Sequence, residues 1–400
     1  MRGTTCVLLL CVTCIYWVLA VLILLLRVVD PHMRGLVRYG GRHGKGSTAA
    51  DGDNNNNIAA AGKRAGVHVV CKDRVSPTEH RGWLWNGVTV AVRALEGSML
   101  CRVRVGRKCG FCAFYLTGIV SAFLLWQTWA SSRVAASCYE SLPLAAFFIH
   151  CAVRLWECLQ VHRFRGGPQD TVTLFAALAG CSFYVFAVIS SSPVICSVAR
   201  AVAEKPAASR VLGSVAGSRS FPVVPVTTVG AFLLHLLLQR LQGLHHGILA
   251  RLRGAPRASS ASFEAPISGR KRHADEVCSG VEASAAASGS FYRFPNACLF
   301  AYVLEPHYAC EILMYVVNAV SLWTLTSHDA ASMLEVWRSK GAYGTLLLAA
   351  SYATPLGVLL FSLFNLAMTA SEHRLFWNQL NARRERKESV PPWNLFYRVW

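Results

Sequence analysis

Charge is scarce in this sequence, and acidic charge is scarcest. Only 15% of the 400 residues are charged, with 21 Asp and Glu against 40 Lys and Arg, while 54% are hydrophobic and the mean hydropathy is +0.37. A soluble domain needs a solvated polar surface, so this balance excludes one and points to an integral membrane protein. Nucleotide-binding loops are missing too. "YGGRHGKGS" at 39–47 has no glycine at the required spacing before a Gly-Lys-Ser/Thr and no preceding strand, and a Gly-x-Gly-x-x-Gly fingerprint does not occur. Any nucleotide cofactor must therefore be held by membrane helices and their cytosolic ends. No internal repeat suggests a transporter built from two halves. Two CxxC pairs, Cys11 with Cys14 and Cys109 with Cys112, lack a second pair or histidines at zinc spacing, so no metal is expected. The fifteen cysteines are scattered, many of them in apolar runs, and read as reduced thiols rather than a disulfide framework.

What is present is a series of long apolar runs. A span needs about 20 mainly apolar residues, and that length predicts seven transmembrane helices near 5–27, 111–130, 137–158, 171–193, 221–241, 298–322 and 345–370. The first run exceeds the roughly 7–15 residues of a signal-peptide core and has no clear small-residue cleavage site, so it reads as a retained anchor. The formal charge of +19 would suggest nucleic acid in a soluble protein. Here the basic residues concentrate in alternate loops, so the positive-inside rule accounts for them and no nucleic-acid partner is expected. That rule places the C-terminus in the cytosol, with the loop 194–220 as its exception. The organisation expected is an anchor over 1–30, a basic, partly disordered cytosolic segment over 31–110, helices two to five over 111–241, a cytosolic loop with a low-complexity insertion over 242–297, and a C-terminal region over 298–400.

Three of the apolar helices carry polar stripes. A helix advances roughly 100° per residue, so spacings of three, four and seven return to one face. His307, Glu311, Tyr315 and Asn318 form one such stripe, and His150, Arg154 and Glu157 a second. Gln242, His246 and Arg253 form a third if the fifth helix continues past the membrane. An unpaired charge at the bilayer centre costs about 2.5–3.5 kcal/mol on insertion scales, so such stripes should face one another inside the protein. Near them lie Arg163, Arg165, Arg253 and Arg293, a cationic mouth that suits a ligand with an anionic head and an apolar tail.

These residues sit in blocks that resemble a known family. "FYRFPNACLFAYVLEPHYACEILMY" at 291–315 is similar to the segment that steroid 5α-reductases show before and along their penultimate helix. "RGLVRYGG" (34–41), "FCAFYLTGIVSAFLLW" (111–126), "VRLWECL" (153–159), "LQGLHHGILARLR" (241–253) and "SEHRLFWNQLNARRERKESVPPW" (371–393) follow in the family's order. "LVRYGG" and "RLWECL" look more like the polyprenol reductase branch than the steroid branch.

The resemblance implies an all-α integral membrane reductase of the endoplasmic reticulum, with NADPH held among the later helices and their cytosolic loops. It implies that the α-isoprene double bond of a long-chain polyprenol or polyprenal is reduced in the lipid bilayer, supplying dolichol for protein N-glycosylation, without an obligate protein partner. Alternatives within its reach are another activated alkene, such as a steroid enone or a trans-2-enoyl thioester, and a non-catalytic relative. Carried over by position, Gln242, His246, Arg253, Tyr292, Arg293, His307 and Glu311 fall in the cofactor pocket. Arg154 matches the arginine of the third-span motif, His373 is kept, and Arg163 and Arg165 lie where cofactor phosphates could be reached. Lys387 stands where the C-terminal run usually has Arg, Phe376 where it has Tyr, and Arg383-Arg384-Glu385 replaces Tyr-Pro-Lys. The tyrosine that the steroid branch places three residues before the third-span arginine is Cys151 here. That leaves His150 beside it as the candidate acid, with Glu311 a second candidate if it is protonated.

Overall fold

The computed structural model describes residues 3–29, 83–131, 138–164, 170–203, 223–254, 294–326, 330–382 and 387–398. Both low-complexity stretches lie outside them, as do Arg165, Tyr292, Arg293 and residues 383–385. The described chain is overwhelmingly helical, and it divides into two units.

The smaller unit comprises Leu26–Gly110 and Phe164–Ala179. Within it, α2 (Trp83–Gly97) and the single turn α3 (Met99–Arg102) lead into β1 (Arg104–Gly106), which pairs antiparallel with β2 (Thr171–Thr173). Arg107 anchors this pair, its Nε lying 3.1 Å from Asp170 Oδ1. Beside the expected all-α membrane fold, the described residues hold this one small two-stranded sheet. Thr-Val-Thr is β-branched throughout and favours extended backbone, which is why the expected span over 171–193 starts as a strand.

The larger unit comprises Met1–Leu25, Phe111–Arg163 and Gly180–Trp400. Its helices are α1 (Gly3–Val29), α4 (Arg107–Ala130), α5 (Leu142–Trp156), α6 (Leu174–Ser190), α7 (Pro193–Ala203), α8 (Val223–Gly254), α9 (Pro306–Thr326) and α10 (Ala330–Ala382); α1, α4 and α6 extend across the unit boundary. Proline opens α7 and α9 and sits in the first turn of α5, positions where its fixed φ and missing N–H cost nothing. α9 therefore starts at Pro306 rather than 298, the preceding residues forming a 3₁₀ turn over Cys298–Ala301. α10 is broken at Gly341, whose φ of +63° is accessible to glycine without strain. α9 packs against both α8 and α10.

Among the described residues, five stretches are long and apolar enough to cross a membrane: Thr4–Arg27, Arg107–Ala130, Cys138–Val161, Pro306–Thr326 and Val336–Ala382. A sixth arises if α6 and the start of α7, bent by 48°, count as one span. Part of the expected loop 194–220 is thus helix, because "PVICSVARAVA" is mostly apolar. Over the expected fifth span the chain is helical from Val223, as part of α8. The chain is compatible with a multi-pass membrane protein.

Close approach of helices depends on glycine at several positions, Gly357 and Gly180 among them. At Gly357 an added Cβ would meet the Cβ and Cγ of Trp17 at 2.5 Å, and Trp17 in turn donates from its indole to Ser190 Oγ at 2.9 Å. At Gly180 it would meet two ring carbons of the buried Phe114 at 2.4 Å. A rigid ring cannot yield cheaply, so Gly180→Ala is expected to destabilise the protein by about 1–3 kcal/mol. Thermal unfolding in detergent, followed by tryptophan fluorescence, would show a lowered midpoint; an unchanged midpoint would mean that α4 and α6 pack more loosely than the structure has them.

Candidate functional site

The three polar stripes meet in the larger unit. α5 contributes His150 and Arg154, and its last residue passes into a π turn over Glu157–Val161, in which the His162 N–H donates to the Glu157 carbonyl at 2.7 Å. π turns of this kind recur at functional sites. α8 contributes Gln239, Gln242 and His246, and α9 contributes His307, Glu311 and Tyr315.

One half of the cluster is ionic. Arg154 Nη1 donates to Glu157 Oε2, as the i, i+3 spacing predicts, and the same nitrogen lies 2.7 Å from His246 Nδ1. His246 Nδ1 is also 2.8 Å from Glu157 Oε2. A guanidinium only donates and a carboxylate only accepts, so Nδ1 serves one of them at a time: bare, it accepts from Arg154, and protonated, it donates to Glu157. Arg154 is 8% exposed and Glu157 2%, so the pair survives burial because each charge has its partner within reach. The guanidinium carbon also lies 5.3 Å from the centroid of Tyr115, which adds a cation–π contact. Glu157, His162 and His246 each bring one potential ligand atom within 4.8 Å of the others. The spacing of His162 and His246 in sequence gives no hint of this. Arg154 is bonded to two of the three and supplies the positive charge there.

The other half is a chain of side-chain hydrogen bonds that runs from His150 through two amides to Glu311. His150 Nδ1 lies 2.6 Å from Gln239 Oε1; Gln239 Nε2 donates to Gln242 Oε1 at 3.4 Å; Gln242 Nε2 donates to Glu311 Oε2 at 3.0 Å and to the His307 backbone carbonyl at 3.2 Å. Three helices are thereby joined through four side chains. Gln242 is fully buried, and Gln239 and His150 nearly so.

No protein-family model matches the chain, and neither a curated protein nor a solved structure matches it significantly.

Of the expected site residues, the structure brings together His150, Arg154, Gln242, His246, His307 and Glu311. Arg163 and Lys387 are exposed, as long cations at helix ends and tails tend to be. Arg253 belongs to the last turn of α8, and its side chain is outside the described residues, with Arg165, Tyr292 and Arg293. His373 of α10 is joined instead to Glu305, Nδ1 to Oε1 at 2.7 Å, and Glu305 also lies 3.5 Å from His307 Nδ1. Glu305, left without a role by the stripe pattern, thus links the start of α9 to α10. Asn318 completes a helix contact, donating to Ser191 Oγ at 3.0 Å.

Sequence reasoning missed Gln239 and the tyrosines. Gln239 lies three residues before Gln242 and so on its face of α8, a signal that was available. Tyr115 of α4 and Tyr184 of α6, with ring centroids 5.2 Å apart, are single polar residues in aromatic-rich runs and carry no such signal. Tyr184 also lies 6.1 Å from Phe147, itself 6.4 Å from Tyr315, by ring centroids.

The donor set suits the carboxamide end of a nicotinamide: Glu311 offers a carboxylate oxygen to an amide N–H, and His307 Nδ1 is a buried polar atom without a hydrogen bond of its own. Space is more restricted. Two narrow crevices adjoin the cluster, one bounded by His235 and Asn318, one by Ser191, Tyr315 and Asn318; the first leaves no room for a water molecule and the second about 10 Å³, far below the roughly 300–1,000 Å³ of a typical ligand pocket.

Proposed function

We propose that the chain is an NADPH-dependent reductase of the polyprenol reductase type, acting in the endoplasmic reticulum membrane on the α-isoprene double bond of a long polyprenoid. The observation that carries this reading is the meeting of Glu311, Gln242, His246 and Arg154 from three helices in one buried cluster, at positions the resemblance gives to the cofactor. NADPH, when bound, supplies a hydride to one carbon of the double bond. The chain's own residues have the remaining tasks.

Glu311 and Gln242 orient the carboxamide. Arg154, neutralised by Glu157, sets the electrostatic balance beside it without leaving a bare charge in the membrane. Hydride addition leaves an electron pair that must be accommodated as the π bond breaks. A carbonyl conjugated to the alkene carries it onto oxygen, where a hydrogen-bond donor stabilises it; an allylic alcohol offers no such place. This chemistry favours the aldehyde, polyprenal, as the species reduced, with dolichal as product. A proton then closes the balance at the carbon next to the carbonyl, so that one C=C bond is replaced by two C–H bonds. The Tyr315 hydroxyl, buried and without a hydrogen-bond partner, is a suitable donor to the carbonyl oxygen.

NADPH oxidation by the full-length protein in lipid nanodiscs, with polyprenal, a steroid enone and a trans-2-enoyl thioester in turn, tests the reading. Turnover with polyprenal at least tenfold above the other two is the expected result. Preference for the enone or thioester would reassign the substrate, and no turnover with any would make the chain a non-catalytic relative.

A further inference from the structure

The orientation of the amide chain is fixed at one end, and that fixes the histidine at the other. The His307 backbone carbonyl can only accept, and it lies 3.2 Å from Gln242 Nε2, so the Gln242 amide must point its nitrogen towards α9 whatever the protonation of Glu311. Its oxygen is then left to accept, and the group facing it at 3.4 Å is the Gln239 nitrogen. The Gln239 oxygen is consequently the atom that faces His150 Nδ1 at 2.6 Å, and this contact is a hydrogen bond only if Nδ1 carries the proton. In neutral His150 the second nitrogen, Nε2, is therefore a bare lone pair. It is buried and accepts no hydrogen bond from the protein, in a residue 2% exposed. A ring centroid 6.3 Å away belongs to Tyr315, whose hydroxyl is likewise buried and without a partner.

We propose that the Gln242–Gln239 relay holds His150 as its Nδ1–H tautomer, making the buried Nε2 a hydrogen-bond acceptor for the hydroxyl group of an isoprenoid alcohol. The inference rests on the polyprenoid reading of the site and deepens it. It assigns Gln239 as a positioning residue and gives His150 the role of acceptor, not donor, towards a neutral ligand. It also separates the two oxidation levels of the substrate. An alcohol can donate to Nε2; an aldehyde cannot, and has to be served by a hydroxyl such as that of Tyr315. A ligand without an O–H leaves the Nε2 lone pair desolvated and unpaired, which is the more costly outcome.

The test uses the full-length protein in nanodiscs without cofactor and three probes of one chain length: geranylgeraniol, its methyl ether and geranylgeranial. The alcohol is expected to bind about tenfold more tightly than the ether or aldehyde, a difference of about 1.4 kcal/mol. Gln239→Glu keeps an oxygen facing Nδ1 and should keep the preference; Gln239→Leu should abolish it. Because Gln239→Leu could disturb packing, wild-type protein with ¹⁵N-labelled histidine gives an independent readout. The resonances that His150→Gln removes should be one protonated Nδ1 and one unprotonated Nε2. Equal binding of all three probes, absence of binding, or a protonated Nε2 in neutral His150 would overturn the proposal. Alcohol preference without any NADPH oxidation would leave it standing while the reductase reading falls. Turnover of polyprenal without alcohol preference would do the reverse.

Discussion

Glu311→Gln is expected to lose NADPH oxidation by about a hundredfold or more while melting close to the wild-type temperature. The two halves of this expectation come from different atoms. The stabilising contact of Glu311 is the hydrogen bond it accepts from Gln242 Nε2, and a glutamine at 311 still presents an oxygen there. What the substitution removes is the charge and the second accepting oxygen, the features that would hold a nicotinamide carboxamide. Hydrogen bonds to charged groups contribute about 1.5–3 kcal/mol, and misplacing the reacting carbon adds to that loss. Steady-state NADPH oxidation with polyprenal, beside a melting curve on the same preparation, measures both. Wild-type turnover in this variant would refute the cofactor assignment of Glu311.

The second large effect concerns stability and holds whatever the chain catalyses. Arg154→Met should destabilise the protein by about 3–5 kcal/mol, the usual consequence of removing one partner of a buried ion pair. The loss arises because Glu157, 2% exposed, would remain as an uncompensated carboxylate facing His246. The double variant Arg154→Met with Glu157→Gln should regain most of the loss, since neither charge is then left alone. Unfolding midpoints of the two single variants and the double variant in the same detergent form a complete cycle. If the double variant is no more stable than Arg154→Met, Arg154 acts through its packing on Tyr115 and not through Glu157.

How much of this was legible in the sequence differs from element to element. The stripes on α5 and α9 were readable because helical periodicity and the cost of charge in a membrane both constrain them; Arg154 does meet Glu157, and Gln242 does meet Glu311. The π turn was not readable. Nothing in "ECLQV" separates it from an α-helical turn, and its contact with α8 is not encoded in any local pattern. The β1–β2 pair escaped because three-residue strands leave no periodic trace. Glu305 lay off the stripe of its own helix, and its partner His373 is distant in sequence, so only the packing of α10 on α9 could join them. Direction along the amide chain was beyond any pattern, since it is set by a backbone carbonyl at His307.

The π turn at Glu157–Val161 also bears on how chains like this one diverge. An i→i+5 bond encloses one residue more than an α-helical turn, and the Glu157–His162 hydrogen bond is of that kind. A chain that kept a regular helix here would be one residue shorter between Arg154 and His162, and would turn a different side chain towards His246. Single-residue insertions and deletions at this point are thus changes of site chemistry rather than of loop length, and a deletion of Leu159 or Gln160, exposed as those side chains are, should alter the Arg154 cluster more than most substitutions on its surface.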